Sequence, residues 1–270
     1  MVVQHNLQAA NTNRMLGANV KAVSKSTEKL SSGYQVNRAA DDAAGLSISE
    51  KMRNQIRGIN QAVKNSEDGV SLIQTAEGNM NEIHSILQRM GELSTKAAND
   101  VNAAEDRTAI QDEITQLSSE IDSIASKAEF NGTKLLDGNF TDKKLQTGAK
   151  SGEVMTIKIS GMSSANLKVN NLSMASHTSA SSAMSAVTAA IKQVSAARSL
   201  LGAKQNRLEY TINNLENYSE NLTSAESQIR DTDMATEMTN YTKNNILQQA
   251  AQSMLAQSNQ STQGVLSLLQ

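Results

Sequence analysis

The chain has 270 residues, with 25 Lys and Arg against 27 Asp and Glu, a formal net charge of −2, and no Pro, Cys or Trp. Zero Cys excludes disulfides, metal–thiolate centres and thiol nucleophiles, and the near balance of charge supplies no basic field for nucleic acid or an anionic membrane. With only 2 Phe and 4 Tyr, the apolar residues are Ala, Leu, Ile, Val and Met; these suit long helix seams better than an aromatic-filled globular core, and the lack of Pro removes the strongest interior helix breaker.

In chain order, the opening "MVVQHNLQAANTNRM" has neither the basic start nor the unbroken apolar core of a secretory signal. No run of 18 apolar residues occurs, so no membrane span is expected. Leu16, Val20, Val23, Thr27 and Leu30 step by four and three along a first helix. Asp41 and Asp42 then precede a helix, where carboxylates favour the positive end of its dipole. "SISE" (47–50) reads as a capping box opening a helix over Leu46–Ala98, a span of about 80 Å at 1.5 Å per residue. Its seam runs Met52, Ile56, Ile59, Val63, Ser66, Val70, Ile73, Glu77, Met80, Ile83, Leu87, Met90, with one slip in the four-three rhythm. Asn and Asp in the link 99–106 predict a turn into an antiparallel helix seamed by Ile110, Ile114, Leu117, Ile121, Ile124 and Ala128.

The grammar changes between 130 and 180. Asn131-Gly132 and Asp137-Gly138 are turn signals. Val154, Thr156 and Lys158 alternate with Met155, Ile157 and Ile159, a strand pattern. A small β-element capping one end of the helical rod is expected. The Ser- and Ala-rich stretch 175–186 leads into another long helix, with a seam over Val187, Ile191, Val194, Arg198, Leu201, Gln205, Leu208, Ile212, Leu215, Ser219, Leu222, Glu226 and Ile229. Its polar members weaken the seam and can fix its register. Ile246, Leu247, Ala250, Ala251, Met254 and Leu255 make an apolar face near the end, and the two terminal helices are expected to pair. From Asn244 to Gln270 there is no charged residue, yet seven are Gln. A surface helix of a lone soluble chain carries charge on its wet side; this one does not.

The fold class is therefore mainly α: long antiparallel, coiled-coil-like helical rods with a small β-hairpin element in the middle. The expected divisions are a terminal segment and linker at 1–40, rod helices at 41–130, the β-rich element at 131–180, a rod helix at 181–230 and a terminal helix at 231–270. An enzyme is not indicated: His5, His84 and His177 are scattered, and neither a phosphate-binding glycine loop nor GxSxG occurs. Met52, Met80 and Met90 occupy seam positions and read as core. No cofactor or metal is called for.

The pieces "SSG", "DDAAGL", "NSEDG", "QTAEG", "FNGTKLL" and the terminal "VLSLLQ" occur together and in order, and the chain resembles bacterial flagellin through its N-terminal half and its last ninety or so residues. The resemblance implies a filament subunit for swimming motility, located in an extracellular flagellum, whose terminal segments pair as a coiled coil when subunits polymerise. On that reading Leu16, Val20, Val23, Leu30, Leu247, Met254, Leu255, Val265, Leu266 and Leu269 build the filament core, and Gln252 and Gln263 line the channel through which unfolded subunits travel. The partners implied are further copies of the chain, an export chaperone, a flagellar-type export machine, and hook-associated junction and cap proteins. A Toll-like receptor is a further partner implied by the family, through Gln88, Arg89, Glu92 and Leu93 with Glu113; Gly91 stands where well-sensed members carry a long basic residue. The middle region is short for the family. "NQSTQ" also lacks the Pro common near the tail, so the tail is expected to be more continuously helical. A hook–filament junction protein and a secreted ligand or adhesin remain alternatives; the match through Ala98 favours the filament subunit, and the pared-down middle speaks against an adhesin.

Overall fold

The structure, a computed structural model, describes residues 6–267, with the side chains of 262 and 264–267 outside the description. The described residues form helices α1 (Leu7–Ser32), α2 (Ala43–Ala97) and α3 (Ala104–Lys127), strands β1 (Glu129–Phe130), β2 (Thr133–Lys134), β3 (Lys143–Gln146) and β4 (Val154–Ile157), and helices α4 (His177–Arg230) and α5 (Met234–Ser267). The chain divides into two compact units, one of Met1–Ile56 with Glu220–Gln270 and one of Arg57–Ser219. Both α2 and α4 supply residues to each.

The second unit has the larger core, in which α2, α3 and α4 pack together. Between 59 and 90 the buried positions of α2 are Ile59, Ala62, Ser66, Gly69, Ile73, Ala76, Met80, Ile83, Leu87 and Met90. They alternate three and four without a slip. This corrects the expected seam at three places: Ala62, Gly69 and Ala76 are buried, while Val63, Val70 and Glu77 are half-exposed beside them. The reason is close approach. A Cβ at Gly69 would collide with the Leu145 side chain and stand 3.3 Å from Leu208. Glu77 instead turns to meet Arg198 at 3.4 Å, so two polar residues expected along the seams answer each other across the helices. In α3, Ser118 and Ala125 are buried with Ile110, Ile114 and Ile121, while Leu117 and Ile124 pack at the margin. In α4, Ala180, Ala183, Val187, Ala190, Val194, Leu201 and Leu208 are buried; Ala190 takes the place expected for Ile191.

The start of α2 differs from expectation. Asp42, not Ser47, is the cap: its Oδ1 accepts the Gly45 amide at 2.9 Å. Ser47 lies inside the helix, exposed, so "SISE" is not a capping box. An N-terminal carboxylate satisfies an orphan amide and the dipole together, which lets the helix begin earlier.

The segment after α3 contains two antiparallel hairpins. Asn131 (φ 48°) and Gly132 (φ 73°) form the turn between β1 and β2, the pairing that left-handed two-residue turns favour. β3 pairs with β4, with Lys143 opposite Ile157 and Gln146 opposite Val154. Met155 and Ile157 face the core and Val154 and Thr156 face out, as the alternation predicts. The segment runs along the flank of the helices rather than capping an end. Side chains stitch it down: Asn65 Nδ2 donates to the Gln146 carbonyl at 3.2 Å, and Lys204 Nζ to that of Thr156 at 2.6 Å. Asp122 accepts the Ser164 amide and hydroxyl at 2.8 and 2.7 Å. Gln111 donates to the Leu172 carbonyl and accepts the Met174 amide, both at 2.8 Å. Leu135, Leu136, Phe140, Ile159, Met162 and Val169 fill the space beneath.

Candidate assembly surface

The first unit is built on α1 and α5. Asn6 caps α1, its Oδ1 accepting the Ala9 amide at 3.0 Å. Asp233 caps α5, accepting the Ala235 and Thr236 amides at 2.9 and 3.3 Å and the Thr236 hydroxyl at 2.8 Å. The Thr236 hydroxyl and these amides hold the Asp233 carboxyl below the usual range. The helices lie antiparallel. Asn6 Nδ2 donates to the Ser258 carbonyl at 3.3 Å near one end, and Lys29 approaches Glu237 at 4.0 Å near the other.

Their mutual seam is mixed. Thr12, Leu16, Asn19, Val23, Ser26 and Leu30 of α1 and Tyr241, Asn244, Gln248, Ala251, Leu255 and Ser258 of α5 are among the shielded positions. Half of these side chains are polar. Other apolar side chains lie outside the seam: Leu7 is 76% exposed, Val20 43%, Ile246 60%, Leu247 43% and Met254 56%. Of the expected filament-core residues, Leu16, Val23, Leu30 and Leu255 thus sit half-buried in the seam, and Val20, Leu247 and Met254 face away from it. The side chains of Val265 and Leu266, and the whole of Leu269, lie outside the described residues. Gln252 and Gln263 are exposed, and α5 continues through Ser261 and Thr262, where a family Pro is missing. A pair with a half-polar seam and with Ile246, Leu247 and Met254 left exposed departs from a free-standing amphipathic pair.

The links on either side of this pair are clasped to each other. Tyr34 forms an isolated β-bridge with Asp231, the Gln35 amide donates to the Arg230 carbonyl at 2.7 Å, and the Thr232 amide donates to that of Gly33 at 2.9 Å. The Arg230 guanidinium lies 4.6 Å from the Tyr34 ring centre and that of Arg53 5.8 Å, distances at which the ring face attracts a cation. Arg53 pairs with Glu226 at 3.0 Å and Arg230 with Glu50 at 2.9 Å. Nearby, Lys25 reaches Asp41 at 2.8 Å. The Lys25 ammonium, helped by the Arg38 and Asn37 amides, pulls the Asp41 carboxyl down to about 2. The two adjacent carboxylates of "DDAAG" are therefore spoken for, Asp41 by Lys25 and Asp42 by its helix.

The chain matches the family description "Bacterial flagellin N-terminal helical region" over residues 3–141 and "Bacterial flagellin C-terminal helical region" over 184–269. It is 52% identical to a flagellin of Halalkalibacterium halodurans over 271 aligned residues, covering 100% of both chains. The chain belongs to the bacterial flagellin family. It is also 46% identical to the flagellar filament 33 kDa core protein of Treponema phagedenis, again over 100% of each. The crystal structure of Bacillus cereus flagellin superposes with a TM-score of 0.51 at 32% identity, covering 56% of this chain and 88% of that one.

Flagellins are structural proteins, not enzymes, and the two described histidines of this one make contacts within the fold. His84 Nε2 lies 3.1 Å from the Gln88 amide nitrogen, and His177 Nδ1 lies 2.6 Å from the Ala98 carbonyl at the start of α4; His5 is outside the described residues. Of the residues expected to meet a receptor, Arg89 is exposed and held at 3.0 Å from both Glu92 and Glu113. Gln88 is exposed beside them. Leu93 is not part of that surface: it is 2% exposed, in the core of the second unit. The Tyr34 clasp had no counterpart in the sequence reading. Its one signal was rarity, a Tyr in a chain with 4 of them, next to a Ser-Ser-Gly turn; its cations come from Arg53 and Arg230, too far away in sequence to form a local pattern.

Proposed function

We propose that this family member is the structural subunit of an extracellular flagellar filament, polymerising through α1 and α5. The observation that carries the reading is the set of exposed apolar side chains on the pair: Leu7, and Ile246, Leu247 and Met254, around a half-polar seam, the last three on a stretch with no charged residue after Lys243. Exposed apolar patches mark surfaces that another molecule covers, and burial gains about 25 cal/mol per Å². Head-to-tail contacts that do not close produce an open helical polymer. Export in an unfolded state through a flagellar-type machine, with a chaperone over the C-terminal apolar segment and junction and cap proteins at the filament ends, belongs to the same reading. So does a channel wall bearing Gln252 and Gln263, neutral towards a passing chain.

Seeded polymerisation tests it. Short filament seeds are offered the full chain, a chain ending at Lys243, and a Gln252→Lys, Gln263→Lys double variant, followed by pelleting and electron microscopy. The full chain is expected to grow filaments and the truncated chain to remain in the supernatant. The double variant is expected to grow slowly in cells, where each subunit must pass the channel. Growth by the truncated chain would remove the part of α5 beyond Lys243 from the assembly surface.

A second reading, as a ligand of the flagellin-sensing Toll-like receptor, is favoured by the exposed Arg89 held between Glu92 and Glu113. A planar guanidinium fixed on a rigid helix is a suitable anchor for a partner. Receptor-reporter cells given soluble chain should respond less to Arg89→Ala than to the parent at equal dose; an unchanged dose curve removes Arg89 from the contact.

A further inference from the structure

The chain has 12 Met and no Cys, so methionine is its only sulfur chemistry. Most of the described methionines fall into two contrasting sets, one in each unit, with Met52 of the first unit and Met184 of the second unit half-exposed between them. In the second, Met80, Met90, Met155, Met162 and Met174 are all 4% exposed or less, sealed in the core. In the first, Met15 is 52% exposed, Met234 49%, Met238 50% and Met254 56%. These four lie on α1 and α5, outside the shielded seam, among the same apolar side chains that the filament reading assigns to neighbouring copies. Exposure and polarisability make a thioether an open target for oxidation, and its sulfoxide is polar where the thioether was apolar.

We propose that Met15, Met234, Met238 and Met254 are an oxidative modification site on the assembly surface, and that their conversion to sulfoxides by hydrogen peroxide or an organic hydroperoxide stops the free subunit from polymerising. The inference rests on the filament reading for its consequence, and on the exposures alone for its site. Each thioether sulfur attacks the terminal peroxide oxygen and gives up two electrons. A new S–O bond forms, the O–O bond breaks, and water or an alcohol leaves. The folded core loses nothing, because its sulfurs are out of reach. The assembly surface gains up to four strong hydrogen-bond acceptors, which must be desolvated before a second copy can cover them. Assembly in turn protects: once neighbours cover the four side chains, the same peroxide dose has no access to them.

The experiment uses the full chain with hydrogen peroxide, applied before or after addition to filament seeds, with peptide mass mapping of each Met and pelleting as readouts. In the free chain, Met15, Met234, Met238 and Met254 should gain oxygen well before the five core methionines, and the oxidised chain should fail to elongate seeds. Treatment with methionine sulfoxide reductases of both epimer specificities should restore growth. A variant carrying Met15→Leu, Met234→Leu, Met238→Leu and Met254→Leu, which keeps volume and apolarity, should elongate seeds with or without peroxide. In preformed filaments the four should be spared. The proposal is overturned if oxidised chain grows at the rate of untreated chain, if the four-Leu variant loses growth on peroxide as the parent does, or if core and surface methionines oxidise together. If untreated chain does not grow at all, the filament reading fails instead, and the mass map still decides the oxidation site.

Discussion

A chain carrying Ile246→Asp and Leu247→Asp should retain its folded second unit and lose filament growth. Both side chains are exposed in the isolated chain, where a surface exchange typically costs within about 0.5 kcal/mol, plus the weaker helix propensity of Asp. Under a neighbouring subunit the outcome reverses. Lys243, one turn earlier, is the one local cation for two new carboxylates, and none follows it; a buried charge left uncompensated costs about 3 kcal/mol or more. At 1.4 kcal/mol per tenfold, that raises the concentration needed for growth by roughly a hundredfold or more. The measurement is the residual monomer after seeding, read against circular dichroism of the same samples. Parent-like growth by a helical double variant would place these side chains outside the subunit contact.

The second large effect is expected in the core. Leu87→Ala should destabilise the second unit by about 2–5 kcal/mol, the range for truncating a buried leucine, since Leu87 is 0% exposed and its neighbours belong to three packed helices. Gly69→Leu should act in the opposite sense of volume and also destabilise, because Leu145 and Leu208 already occupy the space and overpacking costs about 1–3 kcal/mol. Urea unfolding followed by circular dichroism reads both. If Leu87→Ala left the midpoint unchanged, the three-helix packing described for this unit would be wrong at that position.

Those two residues also show what could be read from sequence and what could not. Leu87 was legible: a large apolar residue at heptad spacing has one sensible destination. Gly69 was not, nor were Ala62 and Ala76, because a pattern search ranks by side-chain size and passes over a seam built on small residues. Their role depends on how near β3 and α4 come, which is a property of the folded molecule. The strand alternation of Met155 and Ile157 was readable for the same reason as Leu87, and the segment's placement along the helices was not, since it depends on single polar contacts such as Gln111 with Leu172 and Met174. The terminal helices were readable as a pair. Which face they share was not: the seam contains Asn19, Asn244 and Gln248, and only the antiparallel placement shows that these, rather than Ile246 and Leu247, are turned inward. Leu93 follows buried Met90 by three residues, and that phase, rather than its place beside Arg89 and Glu92, puts its side chain in the core.

The absence of charged side chains beyond Lys243 bears on the thermal character of the joint proposed there. Nothing on that stretch of α5 answers to the ionic strength of the surroundings, since Debye screening acts only on charge. Its cohesion comes from apolar burial, which weakens on cooling and is strengthened by salts excluded from protein surfaces. A joint made there, as proposed, is expected to loosen in the cold.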